Sequence, residues 1–115
     1  MKVVKKTYIP KRGDVVWTNF DPAAGHEQKG KRPALVLSPT PFNKKIMLAM
    51  VAPITSKVRG HGFEVPLNGK KVTGVVLCQQ VKMIDFTERG VQFAEKAAKT
   101  VTSDALARVR AIVSE

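Results

Sequence analysis

Five short apolar segments separated by turn residues place the strongest limit on the fold of this chain. They cover residues 14–20, 33–39, 46–53, 62–67 and 72–84, and they are rich in Val, Ile, Leu and aromatic residues. Such segments are typical of β-strands, and their close spacing favours a small barrel or sandwich. With 115 residues, the chain is long enough to bury one core. We therefore expect a mainly β protein that forms a single domain over residues 1–115.

Turn and helix signals refine this expectation. Asn68–Gly69 predicts a type I′ hairpin turn between the last two segments, because both central positions of that turn require positive φ. Residues 40–45 allow a turn or a single helical turn. Between residues 88 and 100 the pattern is mixed, since a strand over 91–93 and helical propensity over 94–99 both fit the sequence.

A C-terminal α-helix is predicted after this mixed region. Thr102 or Ser103 is suited to cap it, with Asp104 in the first turn, where a negative charge interacts favourably with the helix dipole. The apolar residues that follow recur on one face and are expected to pack on the sheet; they are Leu106, Val109, Ile112 and Val113.

The charge balance points to a polyanionic partner. Lys and Arg number 20 against nine Asp and Glu, which gives a formal net charge of +11 and a pI near 10.2. Phosphate neutralisation adds over many contacts, so this excess favours nucleic acid. Each basic run taken alone is typical of a solvated surface. The runs are Lys2–Lys5–Lys6, Lys11–Arg12, Lys29–Lys31–Arg32, Lys44–Lys45, Lys57–Arg59, Lys70–Lys71 and Arg108–Arg110.

Apolar segments and cysteine content favour a cytoplasmic protein without membrane association. The longest apolar run, residues 46–54, contains Pro53 and is too short to cross a bilayer. The basic residues 1–6 are not followed by the apolar core of a signal peptide. The single Cys78 lies in an apolar stretch and is interpreted as a buried residue rather than a reactive thiol.

A polar loop between the first two strand segments concentrates side chains that can act on a phosphate. It spans residues 21–33 and contains His26, Glu27 and Arg32. Attack by a 2′-hydroxyl on RNA needs a group that takes the 2′ proton, a group that protonates the leaving oxygen, and a cation that stabilises the phosphate charge. Arg32 suits the last role, Glu27 could act as base, and His26 could act as acid or stack on a base. Residue types alone do not establish a site.

A second polar stretch, residues 55–61, follows the third strand segment. It supplies hydroxyls and cations that could orient phosphate oxygens, although Thr55 or Ser56 could instead close a turn through its own backbone. The chain lacks the phosphate-loop, dinucleotide-binding, zinc-protease and paired-cysteine motifs. We therefore expect neither a metal nor an organic cofactor.

The order of these motifs closely resembles the MazF/PemK family of toxin endoribonucleases from type II toxin–antitoxin systems. Residues 13–17, 20–22 and 25–33, followed by residues 35–39, match the opening of the family pattern. Later matches follow in the family's order and, with the terminal helix, extend the resemblance over essentially the whole chain. They are residues 42–43, 51–56, 62–65, 74–77, 80–82 and 89–90.

The resemblance implies a homodimer of SH3-like barrels of the CcdB/MazF/Kid toxin superfamily, each mainly β with a C-terminal α-helix. It implies metal-independent cleavage of single-stranded RNA at short sequences, leaving a 2′,3′-cyclic phosphate and a 5′-hydroxyl, with inhibition of translation and growth. It also implies a cognate antitoxin whose acidic, largely disordered tail occupies the same basic groove.

The resemblance also implies roles for individual residues. Arg32 matches the catalytic arginine of MazF-type members, Thr55 their loop threonine, and Glu27 an acidic position that lines the site. We expect Arg32 to stabilise the phosphorane and to assist protonation of the leaving group, and Thr55 to fix a phosphate oxygen. Glu27 or His26 would take the 2′ proton. Expected RNA contacts are Lys29, Lys31, Ser56, Lys57, Arg59, Gln80 and Lys82.

One departure from the family pattern keeps other functions open. In the PemK/Kid branch a histidine, an arginine and an aspartate perform the acid–base work; the first matches His26, whereas the other positions hold Leu77 and Gln79. Neither side chain transfers a proton at neutral pH. The alternatives are a basic barrel that binds RNA without cutting it and a CcdB-like topoisomerase poison, for which the loop over 25–33 would be unnecessary.

Overall fold

The computed structural model describes residues 7–114 of the chain, so the basic run at residues 2–6 and the expected lack of a signal peptide at residues 1–6 lie outside it. Within the described residues there are seven β-strands, two α-helices and one 3-10 turn. In chain order they are β1 (Asp14–Asn19), β2 (Lys31–Val36), α1 (Thr40–Ile46), β3 (Ala49–Thr55), β4 (Glu64–Asn68), β5 (Thr73–Leu77), the 3-10 turn (Cys78–Gln80), β6 (Lys82–Ile84), β7 (Gln92–Lys96) and α2 (Lys99–Val113).

All strand pairs are antiparallel and follow the order β4-β5-β3-β2-β1-β7, with β6 paired to β3 outside this path. The central strand β3 changes partners along its length, since its first residues pair with β6 and its last two, Ile54 and Thr55, pair with β5. The segment predicted over 72–84 is therefore not one strand but two, divided by the 3-10 turn. The mainly β fold with a C-terminal helix is confirmed.

The two faces of the sheet bury separate apolar clusters. On one face, Val15, Leu35 and Ile54 lie in a cluster that α2 covers, whereas Val16 and Val36 point into a second cluster on the other face. Side chains alternate along a strand, so a strand that is buried on both faces reads as a continuous apolar run. This double burial explains why the apolar segments were visible in the sequence.

The C-terminal helix begins earlier than its cap signal predicted. Its first residue is Lys99, and Ala98 precedes it without a side-chain cap, so the expected cap at Thr102 or Ser103 was wrong. Thr102 is buried within the first turn, and Asp104 instead forms an i,i+4 ion pair with Arg108 at 2.8 Å. Packing of the helix on the sheet outweighed the local preference for capping.

Only part of the predicted apolar stripe of α2 is covered. Leu106 and Val109 pack against the core, but the side chains of Ile112 and Val113 are 44% and 80% exposed. Before the helix, the mixed region resolves into strand β7, which pairs with β1. Neither helix of the described chain has the length and apolar character needed to cross a lipid bilayer.

The β4–β5 hairpin is present, but its turn is not the predicted type I′. Asn68 pairs with Thr73, which leaves a four-residue loop, and neither Asn68 nor Gly69 has positive φ. A Cβ added to Gly69 would lie 2.4 Å from Oε2 of Glu95. The glycine is therefore required for this close approach rather than for a left-handed conformation.

Glu95 joins opposite ends of the sheet. Its carboxylate, on β7, accepts hydrogen bonds of 2.7–3.0 Å from the backbone N–H groups of Lys70, Lys71 and Val72 in the β4–β5 loop. Desolvation opposes ionisation, but these hydrogen bonds outweigh it and lower the pKa of Glu95. A single side chain thus fastens the last strand to the hairpin at the far edge of the sheet.

Candidate active site

The loop between β1 and β2, residues 20–30, is closed at its base by its own backbone and by Arg89. Phe20 N–H donates to the carbonyl of Gly30 at 2.9 Å, and Gly30 N–H donates to Oδ1 of Asp21 at 3.0 Å. Arg89 donates through Nη1 to the carbonyls of Asn19, at 2.6 Å, and Asp21, at 2.9 Å. These contacts give the loop a fixed entry and exit.

Gln80 holds the outer part of the same loop. Its Oε1 accepts from Gln28 N–H at 2.8 Å, and its Nε2 donates to the carbonyl of His26 at 3.1 Å. The residue between them, Glu27, bonds within the loop, because its Oε1 accepts from Ala24 N–H at 2.8 Å and its own N–H donates to the Ala24 carbonyl at 3.1 Å. The loop that carries the candidate reactive groups is therefore ordered by hydrogen bonds along its length.

The second loop, residues 56–63 between β3 and β4, is held by a buried carboxylate. Glu64 accepts from the N–H groups of Arg59, at 3.0 and 3.1 Å, and Gly60, at 2.7 Å, and its Oε2 lies 3.8 Å from Nε2 of His61. Desolvation raises the pKa of Glu64, but the hydrogen bonds from Gly60 and Arg59 dominate and the pKa is lowered. Glu64 is therefore ionised at neutral pH and fixes this loop.

Thr55 makes the turn contact that the sequence left open. Its Oγ1 accepts from Lys57 N–H at 3.2 Å, so the hydroxyl does close a local turn. The residue is 7% exposed at the end of β3, yet it borders two neighbouring cavities. Thr55 therefore closes a local turn and also lies at the surface of both cavities.

Three cavities lie near the ends of the strands, and we refer to them together as the groove. The first encloses about 270 Å³ and the second about 260 Å³, and both are bordered by Gln28, Gln79 and Gln80. The third encloses about 360 Å³ and shares Thr55 with the second. The first two cavities are therefore direct neighbours, whereas the third meets them at Thr55 alone.

The groove collects the sequence-predicted site residues, with one exception. The first cavity is bordered by Glu27, Gln80 and Lys82, the second by His26, Thr55, Lys57, Arg59 and Gln80, and the third by Lys31, Arg32, Thr55 and Ser56. Lys29 is exposed and borders none of the three, but its carbonyl accepts from Nε of Arg32 at 2.9 Å. The structure therefore brings together side chains that are up to 56 residues apart, from His26 to Lys82.

The charge of the groove is strongly positive. Among the bordering residues that the structure describes, six are cationic and one, Glu27, is a carboxylate. The cations are Lys31, Arg32, Lys57, Arg59, Lys71 and Lys82. A concave surface with this imbalance attracts polyanions and concentrates them at the site.

Several bordering residues were not singled out from the sequence. Lys71 was noted only as part of a basic run, and Gln28 and Phe20 lay in segments that match the family pattern without a role assigned to them. Trp17 borders the same cavity as Arg32 with 36% of its surface exposed. Trp17 lay in a segment that matches the family pattern, but strand periodicity does not distinguish a partly exposed aromatic residue from a core one, so no site role was assigned to it.

The two departures from the PemK/Kid pattern lie on the groove side of β5 and the 3-10 turn. Leu77 is buried but borders the second cavity, and Gln79 is exposed, with its Nε2 3.3 Å from Nε2 of His61. Cys78, between them, is buried, and desolvation raises its pKa to about 11, which confirms its interpretation as a buried residue. Among residues 7–114, no cluster of His, Cys, Asp and Glu could hold a metal ion.

Comparison with known proteins identifies the family. A family model described as PemK-like, MazF-like toxin of type II toxin–antitoxin system matches residues 11–113. The chain is 46% identical over 117 residues to the endoribonuclease toxin ChpB of Escherichia coli K12, covering 96% of this chain and 99% of that protein.

Solved structures agree with this assignment. The crystal structure of MazF from Deinococcus radiodurans is 38% identical and superposes with a TM-score of 0.88, covering 93% of this chain and 98% of that one. A MazE–MazF structure from the same organism is 32% identical, with a TM-score of 0.80 and coverage of 93% and 97%. The chain belongs to the PemK-like, MazF-like family of toxins of type II toxin–antitoxin systems.

Proposed function

We infer that this protein is an endoribonuclease toxin of a type II toxin–antitoxin system. The family model covers almost all of the described chain, and ChpB, an endoribonuclease toxin, is similar over essentially its full length. The observation that carries the inference further is the groove, where a strongly cationic surface contains an arginine and a threonine hydroxyl in one cavity. A topoisomerase poison would not need these groups.

We propose that Arg32 and Thr55 bind the scissile phosphate of single-stranded RNA. The two residues border the same cavity, and the guanidinium stays charged at any physiological pH. Arg32 would stabilise the charge that develops on the non-bridging oxygens and donate a hydrogen bond to the leaving 5′ oxygen, which takes its proton from water, while Thr55 would fix one phosphate oxygen. The expected products are a 2′,3′-cyclic phosphate and a 5′-hydroxyl, formed without a metal ion.

For the 2′ proton, the geometry favours His26 over Glu27. His26 borders the cavity that contains Thr55, whereas Glu27 borders the neighbouring cavity and its Oε1 is engaged by Ala24 N–H. A neutral imidazole can accept a proton near neutral pH. In this scheme Glu27 keeps the loop in shape rather than taking part in the chemistry.

The remaining groove residues would bind the rest of the RNA strand. Lys57, Arg59 and Lys82 are suited to successive phosphates, and Trp17 offers a ring on which a base could stack beside Arg32. Lys29, Lys31 and Ser56 complete the set of proposed RNA contacts. Single-stranded RNA is favoured because its unpaired bases can reach such a shallow groove.

The second proposed ligand of the groove is the acidic tail of a cognate antitoxin. The related D. radiodurans MazF is found in a MazE–MazF structure, and the cationic groove described here would attract acidic side chains as it attracts phosphates. We further propose that the protein is a homodimer, that residues 1–115 form a single toxin domain, and that it acts in the cytoplasm.

The cleavage mechanism can be tested with matched substrates. The protein is incubated with EDTA, a long unstructured RNA and a copy with 2′-deoxy linkages. We expect cuts only beside ribose, with cyclic phosphate ends identified by mass spectrometry. Equal cutting of the deoxy copy, or no cutting across varied RNAs, would sink the mechanism.

Substituting Arg32 by alanine tests the central assignment. Loss of one donor to a developing oxyanion costs about 10²–10³ in rate, so Arg32→Ala should reduce single-turnover cleavage by this factor. Arg110→Ala is the matched control, because Arg110 is an exposed arginine on α2 that borders none of the three cavities. If Arg32→Ala cleaves as fast as wild type, Arg32 is not catalytic.

A further inference from the structure

Gln80 makes a contact that differs from the RNA contact expected for it. Its carboxamide accepts from Gln28 N–H at 2.8 Å and donates to the His26 carbonyl at 3.1 Å, 52 and 54 residues away in sequence. The Gln80 carboxamide therefore uses both its oxygen and its nitrogen on the loop backbone, as the peptide groups of a neighbouring β-strand would. The side chain therefore holds the backbone of the loop on both sides of Glu27.

The support beneath Gln80 is firm. The residue ends the 3-10 turn that follows β5, and that turn is rooted by the fully buried Cys78. Gln80 itself is half-buried. The loop at residues 20–30 is covalently connected only to β1 and β2. The Gln80 side chain adds a connection from this loop to the end of β5.

The contact also lies between the two groups that could accept the 2′ proton. Gln80 borders the cavity of His26 and Thr55 and also the neighbouring cavity of Glu27 and Lys82. Among the described hydrogen bonds, these two are the ones that join the loop to the 3-10 turn. Without them, the backbone at His26 and Gln28 would be free to move away from the turn.

We propose that Gln80 is a positioning residue that sets His26 in the Thr55 cavity and Glu27 in the adjacent one, and that it acts through the loop backbone rather than by contacting RNA. This inference rests on the proposed ribonuclease activity. Its chemical basis is that a proton-transfer group loses rate steeply when it is displaced by about 1 Å, whereas phosphate binding by several mobile cations does not.

Gln80→Met is the variant of choice, because methionine keeps the length of the side chain and removes both hydrogen bonds. We expect kcat to fall by about tenfold to hundredfold, with KM changed less than about threefold and the melting temperature close to that of wild type. Gln92→Ala, at an exposed glutamine on β7 outside the groove, is the control. A rise in KM alone would mean that Gln80 contacts RNA and would overturn the proposal.

A double-mutant cycle with His26→Ala separates positioning from a general structural role. The Gln80 contact is to the His26 backbone, so His26→Ala leaves the contact intact while removing the imidazole. If Gln80 acts through that imidazole, Gln80→Met should cost little in the His26→Ala background. Equal losses in both backgrounds would overturn the proposal.

Amide hydrogen exchange provides a readout that needs no activity. The Gln28 amide should exchange faster in Gln80→Met than in wild type, while the amides of β3 should not change. If wild type fails to cleave RNA, the proposed function fails, and the exchange experiment still decides whether Gln80 holds the loop. Unchanged exchange at Gln28 would overturn the positioning role itself.

Discussion

Two loops of this protein are each held by a carboxylate that accepts backbone hydrogen bonds. One loop borders the groove, and the other connects β4 to β5. Glu64 accepts hydrogen bonds from backbone N–H groups of the loop at residues 56–63, which forms one side of the groove. Glu95 accepts three such hydrogen bonds from the β4–β5 loop at the far edge of the sheet. Both carboxyl groups have lowered pKa values because those N–H groups favour the ionised form. Glu64 acts on a segment four or five residues away, whereas Glu95 joins parts of the chain that are more than 20 residues apart. One therefore shapes a surface and the other holds the fold together.

The largest difference between the two regions should appear on removal of Glu95. Glu95→Ala leaves three backbone N–H groups without their acceptor, and we expect a loss of about 2 kcal/mol in the free energy of unfolding. Urea denaturation measures the loss. Cleavage per folded molecule should change much less than stability, since Glu95 does not border the groove and its loop contributes only Lys71 to the groove cations. A selective loss of activity at unchanged stability would contradict this division of tasks.

Substituting Glu64 should have the opposite profile. Glu64→Gln keeps the size of the side chain but weakens the attachment of the loop that carries Lys57 and Arg59. We expect weaker RNA binding, with the slope of log affinity against log salt smaller by about 1–2 as these phosphate contacts are lost.

Fluorescence anisotropy over a salt series gives this slope. Glu95→Gln is the comparison variant and should change the slope less, because its loop carries one groove cation, Lys71, rather than two. An unchanged slope in Glu64→Gln would mean that the carboxylate is not needed to position the two cations. An equal loss of RNA binding in Glu64→Gln and Glu95→Gln would mean that the two loops contribute equally to RNA binding.

The pH dependence of stability should reveal both carboxylates together. Their pKa values are lowered in the folded state, so their contribution is present above the ordinary value of 4.5 and is lost as the pH falls through the lower folded values. Wild type should lose stability below about pH 4.5, and Glu95→Gln should lose less over the same interval. Urea midpoints measured from pH 6 to pH 3 test this; parallel curves for the two proteins would contradict it.

The smallest expected effect concerns Thr18, which pairs with Arg32 across β1 and β2. Its residue is 1% exposed, and its Oγ1 has no hydrogen-bond partner within the described part of the chain. Thr18→Val keeps the shape and removes the unpaired hydroxyl, so we expect a gain of about 1 kcal/mol in the free energy of unfolding. A loss of stability would show that the hydroxyl is satisfied in solution. In that case the polar groups of the strands beside the groove would be hydrogen-bonded as completely as those of the β4–β5 loop.

The sequence predicted the strands well because their signal is local. Continuous apolar runs mark strands buried on both faces, and these runs lie where β1, β2 and β3 were found. Local signals failed where tertiary packing competed with them. The capping preference at Thr102 lost to helix packing, and Asn68–Gly69 formed a wider turn because Glu95 occupies the space beside Gly69.

The sequence predicted residues that the structure places at the groove, and their roles stay predictions. His26, Arg32 and Thr55 carried recognisable chemistry in the sequence, and the groove brings them together. The contacts that hold the loops were not predictable, because Gln80 and Arg89 meet partners 52–70 residues away and no local pattern encodes such a pairing.

The loops of the groove are fastened through their peptide groups, and this has an evolutionary consequence. Gln80 binds the N–H and C=O groups at positions 28 and 26, and Glu64 binds the N–H groups at 59 and 60. At positions 28 and 59 the attachment does not depend on the side chain that the residue carries, whereas position 26 carries the proposed proton acceptor and Gly60 has a φ of +84°, which other residues rarely adopt. Substitutions at Gln28 and Arg59 can therefore accumulate with little penalty to folding, so the surface of the groove can vary while its architecture is inherited unchanged.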